Sequence, residues 1–121
     1  MRNYRELKVW EKAHHLTLKI YQVTSSFPKE EMYGMTSQIR RASSSIPANI
    51  AEGGGRDSDA QFINFLQIAS GSASELDYHL LLAHDLKFIN DSDYTALAND
   101  LIEIRKMLTS FIRRFRPAPN S

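Results

Sequence analysis

A chain of 121 residues that is 42% apolar, 24% charged and 10% aromatic, with 5 glycines and 4 prolines, has the composition of one globular domain and is too short for two. Folding at this length buries about two thirds of the unfolded surface, enough for a continuous core, and the absence of cysteine excludes disulfides, a thiol nucleophile, zinc-thiolate sites and iron-sulfur clusters. Fifteen basic against 14 acidic residues leave a net charge of +1, so a polyanion-binding surface has to come from how charge is distributed. Residues Met1 to Glu6 contain no apolar signal region, and no apolar run approaches the roughly 18 residues of a bilayer span. A cytoplasmic location is the expectation.

Asn3 and Glu6 have the spacing of a capping box, with the Asn3 side chain accepting from the Glu6 amide, and a helix should follow. Taking Val9 as origin, Ala13, Leu16, Ile20, Val23 and Phe27 fall within about 40° of it at helical pitch, which predicts one core-facing stripe. Pro28 should end this helix at Phe27, and Lys29 to Gly34 makes a short polar connection. From Met35, the series Ile39, Ala42, Ile46 and Ile50 predicts a second helix with Pro47 inside it. The proline removes the amide that would meet the Ser43 carbonyl, so a kink is expected, with the Ser43 and Ser44 hydroxyls as candidates to satisfy the freed backbone. Gly53, Gly54 and Gly55 should stop the helix by accepting positive φ.

Ser58 and Gln61 form a second capping-box match ahead of Phe62, Phe65, Leu66, Ala69, Ala73, Leu76, Leu80 and Ala83, the apolar face of a third and longest helix. Its small-residue centre, Ala69 to Ser74, lowers helix propensity but permits close approach of a neighbouring backbone. Asn90 to Asp93 reads as a turn and N-cap, and Leu97, Leu101, Ile104, Leu108, Phe111 and Phe115 give a fourth helix. Arg116 and Pro117 should end it, with a disordered tail over residues 117–121. No alternating strand pattern competes. The predicted class is all-α, an antiparallel up-down four-helix bundle over residues 1–116.

Helix 1 has a second apolar face made of Leu7, Trp10, His14, Leu18 and Tyr21, about 100° to 180° from the core stripe. A patch with Trp and Tyr on the outside of a small bundle marks an interface, and a closed homo-oligomer is expected. The alternative is a wide core, with Trp10 lying across a bundle edge.

Signals for catalysis are weak. Ser43, Ser44 and Ser45 lack a nucleophile-elbow context. Gly53 to Arg56 resembles a phosphate loop only in glycine content and is best read as a helix-to-helix turn, although the amides ahead of helix 3, with Arg56, remain available to a backbone phosphate. His14 and His15 are neighbours, and His79 and His84 are five apart, whereas a shared metal on a helix needs a spacing of four. Glu52, Glu75, Asp77 and Asp85 are scattered. No catalytic residue, metal ligand or cofactor is predicted, and the protein is not expected to be an enzyme.

Charge is more informative. On helix 4, Arg105, Lys106, Arg113 and Arg116 span an arc about 100° wide, with Asp100 and Glu103 on the far side. Arg114 adds to this basic end, and Arg40, Arg41 and Arg56 supply further basic positions around helix 2. Repeated around an oligomer, these eight residues are candidate phosphate contacts; the competing reading is solvated arginines complementing a helix C-terminus. With no aromatic ladder evident on the basic faces, little base readout is expected.

The segments Leu7-Lys8-Val9-Trp10-Glu11-Lys12-Ala13-His14, Phe27-Pro28-Lys29-Glu30-Glu31, Ser37-Gln38-Ile39-Arg40-Arg41-Ala42, Ser45-Ile46-Pro47-Ala48-Asn49-Ile50-Ala51-Glu52-Gly53 and Phe65-Leu66-Gln67-Ile68-Ala69 resemble the bacterial 23S rRNA intervening-sequence proteins. The resemblance runs from about Tyr4 to Arg114. The accessory variability determinant of diversity-generating retroelements is a more distant likeness. The resemblance implies an antiparallel four-helix bundle that forms homopentameric rings, an association with rRNA or other nucleic acid, and no enzymatic activity. A partner protein such as a polymerase or reverse transcriptase is the alternative it implies. Ser43 and Ser44 stand where relatives tend to have small apolar residues.

Overall fold

The computed structural model describes residues 2–116, and among them four α-helices and two short 3-10 turns account for all regular structure. Helix α1 spans Lys8–Thr24, α2 Met35–Gly54, α3 Asp59–Asp85 and α4 Asp91–Phe115; the turns are Tyr4–Glu6 and Lys29–Glu31. The chain is therefore all-α, as the periodicities predict. The tail expected over residues 117–121 lies outside the described residues.

Each helix packs against its neighbour in sequence, and α4 closes against α1. Every member of the four predicted apolar stripes except Phe65 faces this shared core, with Val9, Ile20, Ile39, Ile46, Ile50, Phe62, Leu66, Leu76, Ile104 and Leu108 fully buried; Phe65 is half-buried, under the Arg56 guanidinium. The third helix is the longest at 27 residues, although Ser70, Gly71 and Ser72 have poor helix propensity. Burial of Ala69, Ala73 and Leu76 on its inner face outweighs that local preference.

The helix ends differ from expectation in instructive ways. Asn3 Oδ1 accepts from the Arg5 amide at 3.2 Å rather than from Glu6, so it caps the 3-10 turn, and α1 begins only at Lys8. At its other end α1 stops at Thr24, before Phe27. Phe27 is still buried, reached by a turn and packed 5.6 Å from the Phe88 ring. Ser58 and Asn90 cap α3 and α4 as predicted, accepting from the Gln61 and Asp93 amides at 3.2 and 2.7 Å. The α3 C-terminus is closed by Lys87 at φ 65°. The Lys87 amide donates to His84 and the Phe88 amide to Ala83, both at 2.9 Å, a Schellman arrangement with Phe88 folded onto the core.

Helix α2 is continuous through Pro47, and the carbonyl orphaned by the proline is answered from another helix. Thr17 Oγ1 of α1 lies 3.1 Å from the Ser43 carbonyl oxygen and 3.0 Å from that of Ala13. The Ser43 and Ser44 hydroxyls do not serve this purpose; they donate to the Arg40 and Arg41 carbonyls. The glycine run also works differently from prediction, because no glycine has positive φ. Gly53 and Gly54 lie inside α2, and a Cβ on Gly53 would sit 2.8 Å from Phe65 Cβ and 3.1 Å from Phe62 Cδ1. Gly53 is there for close approach of α2 and α3. Gly71, by contrast, faces open space, so the close approach expected along the small-residue centre of α3 comes from its alanines and Ser72 alone.

Candidate nucleic-acid interface

The predicted basic residues separate into three groups with different environments. On α4, charge segregation is partly a consequence of helix pairing. Asp100 and Glu103 face α1, meeting Lys19 at 2.8 Å and Lys12 at 2.9 Å, while Arg105 faces α3, 3.1 Å from Ser74 Oγ and 3.6 Å from Asp77 Oδ2. Arg105 is thus committed to the α3 seam. Lys106 and Arg113 lie further round, beside Thr109 and Ser110 on a shallow open hollow. Among the described residues Lys106, Arg113 and Arg116 pair with no carboxylate. Arg114 stacks over Phe115, 5.5 Å from the ring centroid.

Arg56 belongs to a structural contact rather than to an anion cradle. Its guanidinium bonds Glu52 Oε1 at 2.6 Å and lies over the Phe65 ring. Of the amides ahead of α3, Gly55 N donates to the Ala51 and Glu52 carbonyls and Arg56 N to that of Gly53. Beside this end of the molecule stands Arg2, which the sequence does not single out. Its amide donates to the Gly54 carbonyl at 2.7 Å, its guanidinium pairs with Asp59, and it lies 4.4 and 4.6 Å from the Phe62 and Phe115 ring centroids. Partners drawn from three helices leave no local signal in the sequence.

Arg40 and Arg41 stand apart from these, on α2 about 20 Å along the axis from its C-terminus. Arg40 Nε donates to Thr24 Oγ1 at 2.9 Å, and its guanidinium lies over the Tyr21 ring at 4.6 Å. Arg41 is exposed and bonds Gln38 at 2.7 Å. Neither meets a carboxylate among the described residues. With Tyr21, Met32 and Tyr33 they line a groove of about 430 Å³, so an aromatic-basic juxtaposition exists where none is evident from sequence. The sequence does not display it, because Tyr33 lies in the connection after α1 and the spacing of Tyr21 places it on the second apolar face of that helix.

That apolar face divides. Leu7 and Trp10 pack onto the core, and Trp10 is further covered by Tyr4 and by His14, which stacks 5.0 Å away and nearly parallel. For these residues the wide-core alternative holds in the single chain. Tyr21 carries Arg40, and Leu18 is left 55% exposed. The outer side of α3 adds exposed Ile68, Tyr78 and Leu81.

Polar groups elsewhere are engaged in packing. Ser45 Oγ lies 2.8 Å from Ser72 Oγ and accepts from Asn49 at 3.0 Å. His84 stacks on Tyr94 and meets Asp91 at 2.7 Å, and His79 meets Glu75 at 3.4 Å. Among the described residues no three His, Asp or Glu side chains are grouped to hold a metal ion, and no helix is long and apolar enough to cross a membrane.

Four helices around one core, with cations on two outer faces that meet no carboxylate among the described residues, define a small helical-bundle protein. Residues 5–110 match the family model of the 23S rRNA-intervening sequence protein, and the chain belongs to that family. A solved structure from Bacteroides thetaiotaomicron, described as a protein of unknown function from the S23 ribosomal protein family, is 34% identical. It superposes with a TM-score of 0.78, over 87% of this chain and 98% of that one. No curated protein matches.

Proposed function

We propose that this protein is a non-enzymatic, cytoplasmic, nucleic-acid-binding bundle that associates with structured RNA such as 23S rRNA. The observation that carries the reading is that Lys106 and Arg113 on α4, with Arg116 just past its end, meet no carboxylate among the described residues, in a member of a family named for the 23S rRNA intervening sequence. The bundle is up-down and antiparallel in this reading. Its support is the contact order: Lys12 meets Glu103 and Lys19 meets Asp100, Arg40 meets Thr24, and Ser45 meets Ser72. Copies assemble into a closed ring, a pentamer by family likeness, through Leu18 and the exposed apolar side of α3. Assembly repeats the α4 stripe, so a chain of net charge +1 presents a strongly positive surface, and binding is electrostatic, releasing counterions from the phosphates.

Binding of the purified protein to an rRNA fragment and to duplex DNA of equal length, across a salt series, tests this. Affinity should fall steeply with log salt and be lost in the Arg113→Glu/Arg116→Glu double variant. Absence of binding at low salt overturns the reading and leaves the stripe to a partner protein, for example a polymerase.

A further inference from the structure

The groove at the α1–α2 corner has a composition unlike the α4 stripe. We infer that it binds unpaired RNA nucleotides, with Tyr33 as the stacking platform and Arg40 and Arg41 as phosphate contacts. The inference rests on the nucleic-acid reading above and assigns the form of RNA that this second surface takes.

Three observations carry it. Tyr33 is 97% exposed, an extreme value for an aromatic ring in a chain whose other rings mostly find cover. The turn that presents it is held, because Glu31 Oε2 accepts the Met35 amide at 3.1 Å and the Gly34 amide donates to the Glu31 carbonyl at 3.0 Å. A ring held out into water on an ordered turn suits stacking against a free base face, and is not explained by packing within the chain.

Second, Arg40 is positioned before any ligand arrives. Its Nε is fixed by Thr24 Oγ1, itself buried and bonded to the Ile20 carbonyl at 2.7 Å, and its plane is laid on Tyr21. A guanidinium oriented by a buried hydroxyl and an aromatic face, without a carboxylate to neutralise it, retains its charge for a phosphate and loses little side-chain freedom on binding. Third, Arg41 on the adjacent position of α2 is exposed and also meets no carboxylate among the described residues. Two cations beside a free ring match the alternation of phosphate and base along a single strand. A paired duplex keeps its bases stacked inside and gives Tyr33 no face to meet.

The test compares oligouridylate with a fully paired RNA duplex in fluorescence anisotropy, using the full chain, Tyr33→Ala, Tyr33→Phe and the Arg113→Glu/Arg116→Glu variant. Stacking predicts that Tyr33→Ala weakens oligouridylate binding by roughly tenfold while duplex affinity is unchanged, and that Tyr33→Phe behaves as the parent. Photocrosslinking of a 4-thiouridine oligomer should map to the peptide containing Tyr33. If Tyr33→Ala binds oligouridylate as the parent does while the α4 variant fails, this inference is overturned and the nucleic-acid reading stands. If the parent binds neither RNA, both fall. If Tyr33→Ala changes the mass of the protein by light scattering, the groove is a contact between copies and the inference is overturned.

Discussion

Gly53 lies in the last turn of α2 and Gly71 in the middle of α3, yet only Gly53 is required as glycine. At Gly53 a methyl group would press on Phe65 Cβ at 2.8 Å, Phe62 Cδ1 at 3.1 Å and the Phe62 carbonyl oxygen at 3.3 Å, atoms held by the α3 backbone and the buried Phe62 ring, so α2 and α3 would have to move apart. Gly53→Ala is expected to destabilise the fold by about 1–3 kcal/mol through overpacking. Gly71 has nothing within 4 Å of its would-be Cβ, and Gly71→Ala should stabilise by up to about 1 kcal/mol through helix propensity. Urea unfolding with equal slopes for parent and variants measures both. A Gly53→Ala variant as stable as the parent or more so would remove close approach as the reason for Gly53.

At the scale of the element, α2 depends on α1 for its continuity. Pro47 takes an amide out of the α2 ladder, and Thr17, polar but buried, supplies a hydroxyl to the Ser43 carbonyl. Thr17→Val should cost about 1–3 kcal/mol, since it leaves a buried acceptor unanswered. In a Pro47→Ala background the restored amide can take that carbonyl, and the same substitution should then cost less than about 1 kcal/mol. Denaturation of the two single variants and the double variant closes the cycle; strict additivity would show that Thr17 does not compensate for the proline. The lysine pairs between α1 and α4 are a lesser matter. Lys12 with Glu103 and Lys19 with Asp100 are exposed pairs, each worth about 0–1 kcal/mol.

For the whole molecule, the open question of assembly turns on where apolar surface is left over. Trp10 is a poor probe, because its replacement also removes contacts with Tyr4, His14 and the core. Leu18, 55% exposed, isolates the outer face. In the proposed ring, Leu18→Glu should give a smaller species by light scattering with the thermal midpoint of the single chain little changed; an unaltered mass would take Leu18 out of the interface. Loss of the ring should also weaken RNA binding, as fewer copies of the α4 stripe then face one ligand.

Periodicity alone determined the class of the fold, the four stripes and two of the three predicted caps, because burial of one helix face and capping within a turn are local in the chain. It also placed Lys106 and Arg113 on one side of α4, whereas Arg116 lies past the helix end in extended backbone. Arg56 meets Glu52 at a spacing of four that is local in the chain, whereas only the tertiary structure decided that Arg105 is taken up by Asp77 of another helix. The same holds for the anchoring of Arg2, the use of Gly53, the rescue of Ser43 by Thr17 and the meeting of Tyr33 with Arg40 and Arg41. Most of these join residues far apart in the chain. Their energies arise when helices pack, and single-helix spacing carries no trace of them.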